Sequence, residues 1–244
     1  MMQPVRVAVL IPALDEEGPL ALVLSDLESV GAVLAAGAPS ASLHEILVVD
    51  NGSGDGTAAT ARARGASVVR EPQRGYGAAC LAGLAYLRHH PPDVVVFLDA
   101  DHSDDPRELP LVIAPLLADD ADLVVGSRTL GTREPGAFTP VQAFGNRLAP
   151  ALMRALWGAR VTDLGPFRAI RWDVLARLRM RDRGYGWTVE MQTRAFAAGL
   201  RVVEVPVSYR RRRLGRSKIT GTLRGVLGAG AKILLTIARV RMGG

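Results

Sequence analysis

At 244 residues, 48% of them hydrophobic and 22% charged, the chain is long enough to bury a substantial core and too apolar for wholesale disorder. Its single cysteine, Cys80, excludes an intrachain disulfide framework and suits a reducing compartment. The net charge of +6 hides an asymmetry: residues 1–200 carry 19 basic and 23 acidic side chains, whereas residues 201–244 carry 11 basic and one acidic. Unless it is simply solvated, that tail faces an anion such as a substrate phosphate, a membrane surface or nucleic acid.

The run from Val5 to Ala13 is short, contains Arg6 and Pro12, and leads into Asp15-Glu16-Glu17, so it reads as a buried strand, over Val5 to Ile11, and not as a signal peptide. Further strands are expected at Glu45 to Val49, Ser67 to Val69, Val94 to Leu98 and Leu123 to Val125. They are almost continuously apolar, as strands covered on both faces are. Between them Pro19 to Leu34, Thr57 to Arg64, Ala78 to Leu87 and Leu109 to Leu117 read as helices, with Asp55-Gly56-Thr57 as a cap. This alternation predicts an α/β fold with a mostly parallel sheet flanked by helices. After Gly126-Ser127-Arg128 comes a Gly/Thr/Pro-rich loop, Thr129 to Pro140, and then a helix from Val141 to Trp157. A short segment, Asp163 to Arg168, precedes a helix at about Thr188 to Ala198, a strand from Arg201 to Tyr209 and a basic turn from Arg210 to Lys218. The chain closes on a helix from about Thr222 to Val240, with Leu223, Val226, Leu227, Ile233, Leu234 and Ile237 on one side and Arg224, Gly228, Lys232 and Arg239 opposite. The expected partition is a domain over 1–220 and an amphipathic basic helix over 221–244. That helix is suited to lie on an anionic membrane or to pack on the domain. No stretch reaches the roughly 20 apolar residues of a spanning helix.

In parallel sheets ligands bind at the carboxyl ends of the strands. Three acidic or polar turns fall there: Pro12-Ala13-Leu14-Asp15-Glu16, Asp50-Asn51-Gly52-Ser53 and Asp99-Ala100-Asp101. Two carboxylates one residue apart can share a hard divalent cation, with Ser103 adding a hydroxyl. The same residues, followed by Asp104-Asp105-Pro106, also suit a solvated strand end that starts a helix. Asp50 can accept hydrogen bonds from a base or ribose, or merely close a turn. Arg74-Gly75-Tyr76-Gly77 places glycines before a helix whose N-terminus favours an anion, although it matches neither a Walker loop nor the G-x-G-x-x-G fingerprint.

Taken together these segments resemble glycosyltransferase family 2, in its dolichyl-phosphate mannosyltransferase-like branch. The resemblance is carried by Ile11 to Glu16, Val48 to Thr57, Leu98 to Pro106, Gly126-Ser127-Arg128, Asp163 to Arg168, Glu204-Val205-Pro206-Val207 and Gly215-Arg216-Ser217-Lys218, in family order over about residues 5 to 220. It implies a GT-A fold, a nucleoside-diphosphate sugar donor such as GDP-mannose or UDP-glucose, Mg²⁺ or Mn²⁺, and inversion at the anomeric carbon. It also implies donor binding by Pro12, Leu14, Glu16 and Asp50, with Ala100 and the Arg74, Gly75, Gly77 turn beside them. Asp99 and Asp101 would hold metal and diphosphate, with Ser103 beside them. Leu14, Asp15 and Asn51 depart from the aromatic, Asn and Asp common at those places, which leaves the base open.

Many inverting members carry an Asp base where this chain has Met191, leaving Glu190 or Asp163 as candidates. A phosphate acceptor is already anionic at neutral pH and needs no base, so the missing Asp favours a polyprenyl phosphate. Arg128, Arg168, Arg210, Arg213 and Lys218 are the candidate cations for it. Against this, Val141 to Asn146 lacks the Arg that such enzymes often carry there, with Arg147 next to it. A soluble hydroxyl acceptor is the alternative, and a sugar-binding relative without catalysis is another. A nucleotidyltransferase is disfavoured because Pro12 to Gly18 holds no basic residue. Nucleic-acid binding is disfavoured by the acidic first 200 residues. The expected location is cytoplasmic, peripheral on the inner face of the membrane.

Overall fold

The computed structural model describes residues 3–37, 39–138, 140–212 and 223–242, without the side chains of 140–143 and 223–230. Seven strands form one sheet: β1 (Val5–Ala13), β2 (Ala41–Asp50), β3 (Ser67–Arg70), β4 (Val94–Phe97), β5 (Leu123–Ser127), β6 (Arg168–Arg171) and β7 (Val202–Pro206). Their order is β3-β2-β1-β4-β6-β5-β7. All neighbours run parallel except β6, which lies antiparallel between β4 and β5.

The helices are α1 (Glu17–Ala36), α2 (Thr57–Ala63), α3 (Tyr76–Leu87), α4 (Leu109–Leu117), α5 (Pro140–Trp157), α6 (Trp172–Leu178), α7 (Trp187–Ala197) and α8 (Leu223–Arg241). They cover both faces of the sheet, which explains the continuous apolar strands. In β1, Val7, Val9 and Ile11 pack toward α1 and α4, while Ala8 and Leu10 pack toward α3, α6 and α7. In β4, Val94 and Val96 join the first layer, and Val95 and Phe97 join the second, where Cys80 is also buried. α1 is long and apolar enough by composition to cross a membrane, but Leu20, Val23, Leu24 and Leu27 are buried in the first layer.

A third apolar cluster joins α5, α7 and α8 through Ala149, Met153, Val189 and Ile237. The apolar side expected of the last helix is thus divided: Ile237 and Val240 turn inward, whereas Leu234 and Leu235 face out.

The sequence pattern anticipates every strand but β6, and every helix but α6. β6 holds only four residues, Arg168–Arg171, and begins and ends in arginine, so it shows neither an apolar run nor alternation. Its direction places its first residue, Arg168, beside Phe97 of β4 and Val125 of β5. The segment entering β6 therefore meets the carboxyl ends of β4 and β5 at the edge where ligands bind.

Candidate active site

The turn after β1 and the glycine-rich turn after β2 are latched to each other. Asp15 sits at φ +50°, a left-handed conformation that Asp tolerates better than most residues. Its amide donates to Ser53 Oγ at 3.0 Å, and its Oδ1 accepts from Gly54 N at 2.7 Å. The amides of Glu16 and Glu17 donate to Thr57 Oγ1 and Asp55 Oδ2, and Gly56 N returns a bond to Glu17 Oε2. Asp50 closes the second turn by accepting Ser53 N at 2.9 Å. Asn51 ties in the next loop, donating to the Glu71 and Gln73 carbonyls and accepting from Gly75 N.

These turns form one wall of a cavity of about 750 Å³. Pro12 to Glu16, Asn51, Arg74, Gly75 and Tyr76 line that wall; Asp99, Ala100, Asp101 and Ser103 form the floor. Arg128, Leu164, Pro166, Tyr185, Thr188, Tyr209, Arg211 and Arg212 close the other side.

Asp99 follows a fully buried strand, and its Oδ1 is buried without a hydrogen-bond partner. Burial and the neighbouring Asp101 carboxylate push Asp99 up to about 7. Asp101 Oδ1 accepts the Ser103 amide at 2.9 Å, and its Oδ2 lies 3.2 Å from Arg212 Nε. Arg212 also pairs with Glu16 Oε1. Two adjacent hard oxygen donors, one of them buried and unsatisfied, fit a divalent cation of the Mg²⁺ or Mn²⁺ type. Such a cation would offset the repulsion and desolvation that now hold Asp99 up.

Arg128 is held from three sides. Asp163 accepts its amide at 2.6 Å, its Nε at 3.0 Å and its Nη2 at 2.7 Å. Its guanidinium lies 4.6 Å from the Phe138 ring centre and 4.9 Å from that of Tyr209. Burial opposes the charge, and the Asp163 carboxylate more than offsets that opposition. Among the described residues Nη1 has no hydrogen-bond partner, so one donor at the cavity wall is left for a ligand.

The family model for glycosyl transferase family 2 matches residues 8–179, which include the three turns, the Asp99/Asp101 floor and Arg128. The chain is a member of glycosyltransferase family 2. An uncharacterized glycosyltransferase of Mycobacterium tuberculosis is 41% identical over 90% of this chain and 92% of that protein. The undecaprenyl-phosphate mannosyltransferase of Micrococcus luteus is 32% identical over 90% of each. The polyprenol monophosphomannose synthase of Mycolicibacterium smegmatis is also 32% identical, over 89% of this chain and 82% of that one. Among solved structures, glucosyl-3-phosphoglycerate synthase of Mycobacterium tuberculosis, in complex with Mn²⁺, UDP and glucosyl-3-phosphoglycerate, superposes with a TM-score of 0.72 at 25% identity. The match covers 98% of this chain and 80% of that one. The fold is therefore GT-A, and the chain is a hexosyltransferase of that family.

Against this frame of a family 2 transferase, the structure brings Pro12, Leu14, Glu16, Arg74, Gly75, Asp99, Ala100, Asp101, Ser103 and Arg128 to one cavity. The other described candidates do not line it. Asp50 is spent on its own turn. The start of α3, expected to favour an anion, is closed by protein: Gly77 N and Ala78 N donate to the Gly184 and Arg183 carbonyls. A Cβ on Gly77 would lie 1.9 Å from the Asp182 carbonyl, which is why only glycine fits there. Arg168 is completely buried and donates to the carbonyls of Leu164, Gly165 and Thr188, shaping the cavity wall from behind. Burial pushes it down to about 10. Arg210 pairs with Asp105 and faces an adjoining cleft of about 400 Å³. Arg213 and Lys218 lie outside the described residues.

The two proposed bases are both committed elsewhere. Asp163 is fully buried against Arg128. Glu190 lies outside the cavity and accepts the amides of Arg181 and Asp182 and Arg194 Nε at 2.9 Å. Its carboxylate fastens the 181–186 loop, whose Tyr185 lines the cavity and whose Asp182 pairs with Lys232 of α8 at 3.0 Å. Glu190→Gln is therefore expected to cost about 2 kcal/mol of stability, the worth of a charge-assisted hydrogen bond. The pH profile of turnover should stay in place. An unchanged melting temperature with the acidic limb of that profile lost would make Glu190 a base after all.

Sequence reasoning missed Tyr209, Phe138 and Arg212. Arg212 carried a signal, since it belongs to the basic turn, but nothing in a run of four arginines says which one reaches the carboxylates. The aromatic cage carried none, because Phe138 lies in a loop far along the chain from Tyr209, which follows β7.

Proposed function

We propose that the enzyme transfers a hexose from a nucleoside-diphosphate sugar to a polyprenyl phosphate, with inversion. The observation that carries this reading is the lack of an uncommitted base in a cavity otherwise equipped for the donor. Among the described lining residues the carboxylates are Asp15, Glu16, Asp99 and Asp101: two bind neighbouring protein groups and two suit a cation. An acceptor hydroxyl would have nothing to take its proton, whereas a phosphate oxygen is already a nucleophile. The relatives named as undecaprenyl-phosphate mannosyltransferase and polyprenol monophosphomannose synthase support the same acceptor class.

The wall from Pro12 to Glu16, with Arg74 and Gly75, would hold the nucleoside, and Asp99, Asp101 and Ser103 would hold the cation. When bound, that cation supplies Lewis-acid neutralisation of the charge growing on the leaving diphosphate. Arg128, caged by Phe138 and Tyr209, would present Nη1 to the acceptor phosphate. An oxygen of that phosphate forms the new bond to the anomeric carbon. The bond from that carbon to the nucleoside diphosphate breaks, its electron pair leaving on the diphosphate. The outward Leu234 and Leu235 of α8, Met242 just past its end and Phe144 of α5, with Arg239 and Arg241, would suit peripheral contact with an anionic membrane surface.

The experiment is an incubation with radiolabelled GDP-mannose or UDP-glucose, Mg²⁺ or Mn²⁺, and polyprenyl phosphate. Label should enter the organic phase with one donor and fall to background on chelation. Transfer that survives chelation would remove the metal from the account. A second reading, a soluble acceptor, is favoured by the structural neighbour in complex with glucosyl-3-phosphoglycerate. Label on a water-soluble acceptor alone would select it.

A further inference from the structure

We propose that Arg212 serves as a built-in counter-cation for the metal carboxylates, so that the divalent cation loads together with the donor diphosphate and poorly by itself. This rests on the reading of Asp99 and Asp101 as the metal site. Arg212 spans the cavity, with Nη2 paired to Glu16 Oε1 and Nε 3.2 Å from Asp101 Oδ2. Asp101 Oδ1 already accepts the Ser103 amide, which leaves Oδ2 the more available oxygen for a cation, and it is the one that faces Arg212. The pair is well shielded: Asp101 and Arg212 each expose 20% of their side chains and Glu16 only 7%. The chain just before Arg212 is anchored and brings the residue to this place. Arg210 N donates to the Ser103 carbonyl at 2.7 Å, Ser208 bonds to Glu108 through both N and Oγ, and Arg211 N bonds to Glu134 Oε2.

A cation arriving alone must therefore separate a shielded ion pair and leave a guanidinium over the cavity with one carboxylate fewer, which opposes binding. A cation arriving with a diphosphate brings the anion that Arg212 then needs. Arg212 exchanges one anionic partner for another, and the penalty disappears. Metal and diphosphate are thus coupled through one side chain, and by linkage each must raise the affinity of the other by the same factor.

The test is Mn²⁺ binding, followed by the loss of the free-ion paramagnetic resonance signal, to the whole protein with and without UDP or GDP. Association of metal and nucleotide in solution is measured separately and subtracted. Wild type should bind Mn²⁺ weakly alone and roughly tenfold or more tightly with the nucleotide that fits. Arg212→Gln should bind Mn²⁺ alone several-fold more tightly than wild type and lose most of the enhancement by nucleotide. Unchanged or weaker Mn²⁺ binding by a folded Arg212→Gln protein overturns the proposal. Arg212→Lys, which keeps the charge, checks that result: binding that follows wild type in Lys and loosens only in Gln also overturns it. Asp101→Asn separates this from the underlying reading. If that variant binds Mn²⁺ like wild type, the metal site itself is misassigned; if it loses Mn²⁺ while Arg212→Gln is unaltered, the counter-cation alone is wrong.

Discussion

Asp101→Ala is expected to reduce sugar transfer by about 10³-fold or more, the range seen when a preorganised group that stabilises transition-state charge is removed. The fold should survive, because the Asp101 side chain lines the cavity and its hydrogen-bond and ion-pair partners are one backbone amide and Arg212. Its loss leaves Asp99 as the sole carboxylate at the floor, still buried and still without a partner for Oδ1. The two positions therefore differ in kind. Asp99→Ala also relieves a buried carboxylate, so it should abolish transfer while leaving the protein as stable as wild type or more so. A purified Asp101→Ala protein with wild-type melting temperature and retained turnover would contradict the assignment of the floor.

Asp163→Asn should have the largest effect on stability. Asp163 is fully buried and neutralises an Arg128 side chain that is only 12% exposed, through three hydrogen bonds. Removing one charge of a buried pair strands the other, at a cost of about 3–5 kcal/mol. For a chain of this length that corresponds to a melting temperature lower by about 10 °C. Activity should fall as well, since Arg128 would lose its fixed direction between Phe138 and Tyr209. Scanning calorimetry decides it: a melting temperature within a degree or two of wild type would mean that Arg128 finds another anion, such as the nearby Asp104, at little cost.

The parts of the fold legible in the sequence are those governed by local pattern. Apolar runs ending in acidic turns located β1, β2 and β4, and with them the cavity wall and its floor. β6 was not legible, because a four-residue strand bracketed by arginines is defined by its neighbours alone. The same distinction separates the site residues. Asp99, Asp101 and Ser103 are three positions within five residues, so their convergence is local. Arg168, Asp163 and Glu190 were plausible ligands or bases by residue type, yet each is consumed by partners that no spacing reveals: the carbonyls of 164, 165 and 188, the guanidinium of Arg128, and the amides of 181 and 182. Here the charged side chains at Arg168, Asp163 and Glu190 support the site, and burial with satisfied partners distinguishes them from its reacting groups.

In the proposed reaction the acceptor is an anion. The most direct measurement compares polyprenyl phosphate with the corresponding polyprenol as acceptors for the labelled donor that the enzyme accepts, at equal lipid and detergent and with Mn²⁺ present. Transfer to the phosphate with none above background to the alcohol is the predicted result. Comparable transfer to the alcohol would contradict it, since it would require a base that the described cavity does not offer.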